Sequence, residues 1–377
     1  MSAKAQSFLA RGESPARVAR ALGECVRRVP RPSGALIFVS GELVAAVDEL
    51  ARHLEDALGR VPALLAAGHG VLTERGEIEG ESALSAVVWE GGTTTAISVD
   101  DSGGPDLGLA TANALEPYAG PGSTAFLFLR PRGVLPHMLD PLHGLRFGAL
   151  VGAGTTGDGG VVLFSPGKKA EVANIGALVV KGLTPPAVRP SPACRLLTPL
   201  VPITATRGPM VLELGGERAL EALSRATANL KDQPLLFVAL AETPSDDSDS
   251  PPLLLRGIQG IDPLRQGIVV SEEVREGLLM AFAVRDPVAA RSDLELTTAR
   301  LSRETAGAAA RFGVYLSCAG RGSSLYGAAD VDTRVIKARF GELPLAGMHS
   351  SFEIAPHRGS PTLQLYTGVL SVFTEPS

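Results

Sequence analysis

The stretch Ser317-Cys318-Ala319-Gly320-Arg321-Gly322-Ser323-Ser324-Leu325-Tyr326-Gly327 holds the densest set of reactive side chains in the 377-residue chain. A buried strand ending in a glycine-rich turn lets backbone N–H groups and a guanidinium approach an anion together. The plainer alternative makes Cys318 a small buried filler and Arg321 one half of a surface ion pair. Arg256, in LLLRGIQGID, and Arg285, in MAFAVRDP, each end an apolar strand, and Asp262 follows the first of them. A guanidinium grips a carboxylate at two points and a carboxylate holds an ammonium. Arg256, Arg285, Arg321 and Asp262 would therefore suit a zwitterion, provided the fold brings them together.

Among the six histidines, His69 and His349 each follow a Gly-ended apolar strand, where α/β folds place ligands. Ser350, Ser351 and Glu353 stand beside His349. His53 reads as a surface residue, and His137 and His143 flank a short helix with no role assigned to them. Gly152-Ala153-Gly154-Thr155-Thr156-Gly157 matches G-x-G-x-x-G letter for letter, but a hairpin and a strand follow it. A dinucleotide fingerprint must open a helix, so this is a glycine-rich corner. The sequence contains no G-x-S-x-G, P-loop, H-E-x-x-H or C-x-x-C, and the reading is a non-enzyme with no metal. Cys25, Cys194 and Cys318 are scattered and odd in number, which fits a reducing cytoplasm better than a disulfide framework. A net charge of −5 argues against nucleic acid as a partner. No signal peptide or membrane-spanning run is present, so no membrane is expected.

The elements that must position these residues follow a recurring pattern. Its unit is an apolar strand, a helix, a second apolar strand ending at a corner, and a further strand. One copy runs from ALIFV (35–39) through a helix near 42–58 to ALLAAGHG (63–70) and SALSAVVWEG (82–91). Another has TAFLFL (124–129), a short helix near 134–142 and LRFGALVGAGTT (145–156), then VVLF (161–164) and ANIGALVVKG (173–182). The last has FGVYLSCAG (312–320), a helix near 328–340, LPLAGMHSS (343–351) and LQLYTGVLSVF (363–373). Further helices are expected from Pro15, behind the N-cap Ser14; from Pro287, behind Asp286; and over 216–230. The fold class is thus α/β to α+β: two lobes of mixed β-sheets with flanking helices, with approximate internal duplication of the unit. Residues 183–209 carry seven prolines and read as an extended crossing between lobes. Residues 241–252, AETPSDDSDSPP, read as a mobile acidic loop. The domain boundary is placed at about 190.

LLLRGIQGID (253–262), VREGLLMAFAVRDPVAA (274–290), CAGRGSSLYG (318–327), LPLAGMHSSFEIAP (343–356) and LQLYTGVLSVF (363–373) occur in an order and spacing that resemble the FIST C domain. GALIFVSG (34–41), ALLAAGHGVLTERGEIEG (63–80) and FGALVGAGTT (147–156) more loosely resemble FIST N. The resemblance implies a FIST N-like domain over 1–190 and a FIST C-like domain over 191–377. Phe352 precedes Glu353-Ile354 where the family usually has glycine, and Leu65-Ala66 stands where a Gly-Cys pair is frequent. The resemblance implies a free-standing cytoplasmic sensor of a small molecule, an amino acid or related carboxylate, that signals to a separate protein. The ligand-lining residues are then Arg256, Asp262, Arg285, Cys318, Arg321, Gly322, Tyr326, His349 and Glu353. Some bacterial relatives resemble haem-binding nitric-oxide sensors that regulate histidine kinases, which would make His69 or His349 the axial ligand. A human relative recruits proteins, which would make this chain a scaffold.

Overall fold

The computed structural model describes residues 4–99, 107–131, 134, 136–157, 160–230, 235–242 and 252–375. Of the acidic stretch 241–252, residues 243–251 lie outside this set. The chain forms two compact units, Met1–Ser191 with Leu294–Leu363 and Thr367–Ser377, and Pro192–Asp293 with Gln364–Tyr366. The chain thus leaves the first unit close to residue 190 and returns to it at Leu294. The reason lies in backbone pairing: the strand Leu345–Ser350 hydrogen-bonds to Gly70–Thr73, so the C-terminal segments pack with the N-terminal ones.

The first unit contains three six-stranded mixed sheets among the described residues, and each follows the same order. In each, a parallel pair comes from one strand–helix–strand unit: Pro32–Ser40 with Ala63–Ala67, Gly120–Leu129 with Phe147–Gly154, and Ala310–Cys318 with Leu345–Ser350. The strand that follows each corner does not stay home. Gly70–Thr73 joins Leu345–Ser350, Val161–Phe164 joins Ala63–Ala67, and Glu353–His357 joins Phe147–Gly154. The chain then returns antiparallel to its own first strand, as Ala83–Glu90, Ile175–Lys181 and Thr367–Thr374.

The corners themselves are tied in a ring. His69 N–H donates to His349 O (2.8 Å), Thr156 N–H to Ala67 O (3.0 Å) and Ser351 N–H to Gly154 O (3.1 Å). In every case donor and acceptor positions stand two residues apart in their own segment. By this register Leu65, Gly152 and Gly347 occupy equivalent places, so connectivity recurs while residues differ.

Strand alternation divides each sheet's side chains into an inner and an outer set. Phe38, Leu64 and Trp89 from one sheet, Phe126, Phe128 and Val151 from the second, and Phe312, Met348 and Phe373 from the third share one central core. Trp89 stacks on Phe312 (5.4 Å) and Phe312 on Phe373 (4.3 Å), while Phe38 meets Phe128 edge-on. Helices cover the outer faces. Pro15–Arg28, capped by Ser14, and Val47–Leu58, closed by Gly59 at φ +61°, seal the first sheet over Ile37, Val39 and Leu65. The expected helix 42–58 is interrupted at Ala46, giving Glu42–Ala45 and Val47–Leu58. Pro287–Glu304 and Val331–Phe340 seal the third sheet through Leu294, Leu301, Val335 and Ile336. Asp286 caps the former, accepting from Ala289 N–H at 2.8 Å.

The stretch 183–209 is largely extended: Ala187–Pro192 edges the third sheet of the first unit, and Cys194–Leu196 and Val201–Arg207 are strands of the second unit. From Val201 the strands close in a ring: Val201–Arg207, Met210–Leu214, Gly267–Val270, Leu254–Asp262, Leu236–Ala241, Leu279–Arg285 and back to Val201–Arg207. Closure leaves these six strands no open edge. Ile203, Val211, Val238, Ile268, Met280 and Phe282 fill it, with the helix Ala219–Thr227 contributing Ala219 and Ala222.

Candidate ligand cavity and buried polar cluster

The second sheet of the first unit has the shortest helical cover described: the nine-residue helix Leu107–Leu115 and the 3-10 segment Pro136–Gly144. The alternation that turns Phe126 and Phe128 into the core turns Leu127 and Leu129 outward. Between these leucines and the cover lies a cavity of about 280 Å³, near the lower end of the range for small-ligand pockets. Leu107, Leu127, Leu129, Val134, Met138, Leu139, Leu142 and Ile175 make most of its lining, with Thr111, Arg130 and Asn174 as polar members. The Thr111 hydroxyl already donates to Leu107 O at 2.7 Å. Arg130 follows the last residue of the strand Gly120–Leu129, and its backbone N–H donates to Asn174 O at 2.9 Å. Its Nε is buried and has no hydrogen-bond partner among the described residues. The site is therefore an apolar slot with one unsatisfied cationic donor at the carboxyl end of a parallel strand.

Six of the expected site residues lie in the first unit. Arg321 is about 1 % exposed and its carboxylate partner Asp332 about 2 %. The guanidinium donates from Nε to Asp332 Oδ2 (2.8 Å) and from a terminal nitrogen to Oδ1 (3.2 Å); it also reaches Ser191 O (2.8 Å) and Tyr326 Oη (3.1 Å). Tyr315 and Tyr326 each donate a hydroxyl to Asp332 at 2.7 Å. Burial pushes the Asp332 carboxyl up, but Arg321's charge and these hydrogen bonds prevail and hold it below its ordinary range. Tyr326 goes the other way, raised chiefly by burial. The arginine's two-point carboxylate partner is thus Asp332, within the chain. Removing either ion would leave its partner charged and buried, at a cost of roughly 3–5 kcal/mol.

His349 is about 1 % exposed, and neither ring nitrogen has a hydrogen-bond partner. Its Nε2 stands 3.6 Å from Glu77 Oε2, an ion-pair contact rather than a hydrogen bond. Burial disfavours the imidazolium, but Glu77 and Glu79 outweigh it and the pKa is raised. One candidate oxygen from each of these glutamates and one imidazole nitrogen lie within 4.8 Å of one another. Gly322 packs against Glu79 so closely that a Cβ there would come within 2.5 Å of its carboxylate oxygens. Glu353 is fully buried and accepts from Ser350 Oγ at 2.8 Å. Burial raises its pKa well above the carboxylate range against that bond and the charge of Arg321. Cys318 is buried at the end of its strand, with Gly320 N–H 3.4 Å from its sulfur.

As placed, the two histidines do not fit a haem. A Cβ at Gly70 would stand 3.0 Å from His349 Cδ2, so that ring has a strand against it rather than an open slot. His69 is exposed, and the cavity lining contains no histidine.

Arg256, Asp262 and Arg285 belong to the second unit. Arg256 is fully buried, ion-paired with Glu272 and donating to Leu255 O at 2.9 Å. Asp262 receives the Leu264 and Arg265 N–H groups at 3.0 Å and the Arg265 guanidinium at 2.6 Å, which holds its pKa down and fixes a turn. Arg285 ends its strand half-buried, opposite Cys194. The two-point grip of Arg321 is thus engaged by Asp332 and Asp262 fixes a turn, whereas Arg256, paired with Glu272 through Nε, keeps one buried terminal nitrogen without a hydrogen-bond partner among the described residues.

Arg130, Glu77, Glu79 and Asp332 were not among the expected residues, though signals for three of them were present. TAFLFLR ends an apolar strand in arginine just as MAFAVR does. Glu77-Ile78-Glu79 alternates, so as a strand it must put both carboxylates on one face.

With this geometry in place, comparison with known proteins gives the following. A family model described as the FIST C domain matches residues 217–356. An uncharacterized protein of Mycobacterium bovis is 30 % identical over 212 residues, covering 52 % of this chain and 53 % of the relative. An uncharacterized protein of Mycobacterium tuberculosis is 31 % identical over 192 residues, covering 49 % and 50 %. The chain thus spans about half the length of the curated relatives it matches. Among the described residues no helix is long and apolar enough to cross a membrane.

Proposed function

From the match of residues 217–356 to the FIST C domain, a family of sensory signal-transduction domains, we propose that the chain binds a small carboxylate with an apolar body and reports its presence to a separate signalling protein. The observation that supports this reading is the cavity ending at Arg130. Burying an anion's head against a guanidinium satisfies a donor that otherwise has no partner, and the leucine-lined slot takes the apolar remainder. The ligand moves from a zwitterion gripped by three arginines to a monoanion gripped by one. A lining that is mostly apolar and carries no acidic side chain among the described residues favours acids that lack an α-ammonium over polar amino acids.

A thermal-shift screen tests it with straight-chain, branched and aromatic carboxylates of six to nine carbons, each paired with its primary amide. A ligand at about 100 times its Kd adds roughly 2.7 kcal/mol of stability. Carboxylates are expected to raise Tm and amides not to. Arg130→Gln, which keeps the fold but loses a charged hydrogen bond of about 1.5–3 kcal/mol, should weaken binding about 10- to 150-fold. Equal responses to acid and amide, retention of binding by Arg130→Gln, or no response across the panel would each remove this reading.

A further inference from the structure

The first unit holds a second set of converging groups that the cavity does not use. His349, Gly70 and Glu79 lie on one rung across three hydrogen-bonded strands, since His349 pairs with Gly70 and Gly70 with Glu79. Glu77 is two residues from Glu79 on the same strand, hence on the same face. Gly70 has no side chain, and this keeps the space between the other members open. A Cβ at that position would stand within 3.0 Å of His349 Cδ2 and 3.2 Å of Glu79 Cα.

The carboxylates are held from behind. Glu79 accepts from Ser323 N–H (2.8 Å) and Ser323 Oγ (3.0 Å), and Glu77 Oε1 accepts from Thr333 N–H (3.1 Å). Such outer contacts aim the remaining lone pairs of a metal ligand. The imidazole is about 1 % exposed with no hydrogen-bond partner at either nitrogen, and Glu77 is 7 % exposed. Two carboxylates converging on one imidazole in such a buried place make an electrostatically costly group unless further charge is bound there.

We propose that Glu77, Glu79 and His349 form a binding site for a first-row divalent cation such as Zn²⁺. One nitrogen and two carboxylate oxygens suit that class, and three protein ligands leave coordination positions for water or a ligand. In a tetrahedral site, metal–ligand bonds of ~2.0–2.2 Å put donor atoms about 3.3–3.6 Å apart. The candidate atoms, within 4.8 Å of each other, need to close by at most about 1.5 Å, which side-chain rotation on binding supplies.

The test strips the full chain with a chelator, dialyses it and titrates Zn²⁺ by calorimetry, then repeats with Co²⁺ to read its visible spectrum. The expected result is one equivalent bound and a Co²⁺ spectrum of mixed nitrogen and oxygen ligation. His349→Gln and Glu79→Gln, both close in size to the native residues and checked for folding by circular dichroism, should each weaken Zn²⁺ binding by about 100-fold or more. Ser323→Ala, which removes only an outer contact, should weaken it about 10- to 100-fold. Absence of stoichiometric binding by the wild type, or unchanged affinity in folded His349→Gln and Glu79→Gln, would overturn the site.

Discussion

Glu353 is a carboxyl with no exposed surface, a hydrogen bond from Ser350, and a second oxygen without a hydrogen-bond partner among the described residues. Burial therefore keeps it protonated well above the ordinary range. In the unfolded chain a glutamate titrates near pH ~4.3. A group whose folded pKa is raised lends its full stabilisation only below the unfolded value and loses it as pH rises through the folded one. The wild type should lose stability from about pH 4.3 upward, at roughly 1.4 kcal/mol per unit within that window. Glu353→Gln keeps a neutral side chain of the same shape and removes this slope. Urea unfolding at pH 5, 6 and 7 should show the variant's advantage growing with each step. Parallel stability profiles for the two proteins would contradict the assignment. Sequence drew attention to Glu353 and Arg321, but residue type alone does not tell a ligand-gripping charge from one spent inside the fold. Asp332, eleven residues past Arg321 and on the next long helix, decides between them, and only the tertiary turn brings it there.

At the scale of elements, the strand–helix–strand–strand units were legible because buried strands are apolar runs and their helices carry caps and stripes. The sheet order was not legible, because the strand after each corner pairs with a different unit, a contact that no local pattern encodes. The cost of that arrangement falls on the parallel pairs. A Cβ at Gly347 would lie 1.8 Å from Tyr315 O, and one at Gly152 would lie 1.8 Å from Leu127 O. Both obstacles are backbone carbonyls of the partner strand, which cannot swing aside. Gly347→Ala and Gly152→Ala should therefore each destabilise the chain by about 1–3 kcal/mol or more. Gly122→Ala, with nothing within 4 Å, should be nearly neutral. Chemical denaturation of the three variants decides the matter, and an alanine tolerated equally at all three positions would show that the parallel strands can separate without loss.

At the scale of the whole molecule, each of the two compact units has a hydrophobic interior of its own. The three recurring sheets share the core built round Phe38, Phe126 and Phe312, whereas the closed ring of strands in the second unit buries Ile203, Val238 and Phe282 among themselves. A core in each unit is the condition for unfolding as a separate cooperative block. Calorimetry of the full chain should accordingly resolve two transitions. The proposed carboxylate cavity and the proposed cation site both lie in the first unit. Mass action lets a ligand stabilise only the folded block that binds it. A carboxylate or Zn²⁺ should then raise one transition and leave the other in place, and Gly347→Ala should lower that same one. A single transition with equal calorimetric and van't Hoff enthalpies would mean that the two interiors melt as one. A ligand occupying the first unit would in that case stabilise the closed ring as well, and the signal would have a direct thermodynamic route through the whole chain.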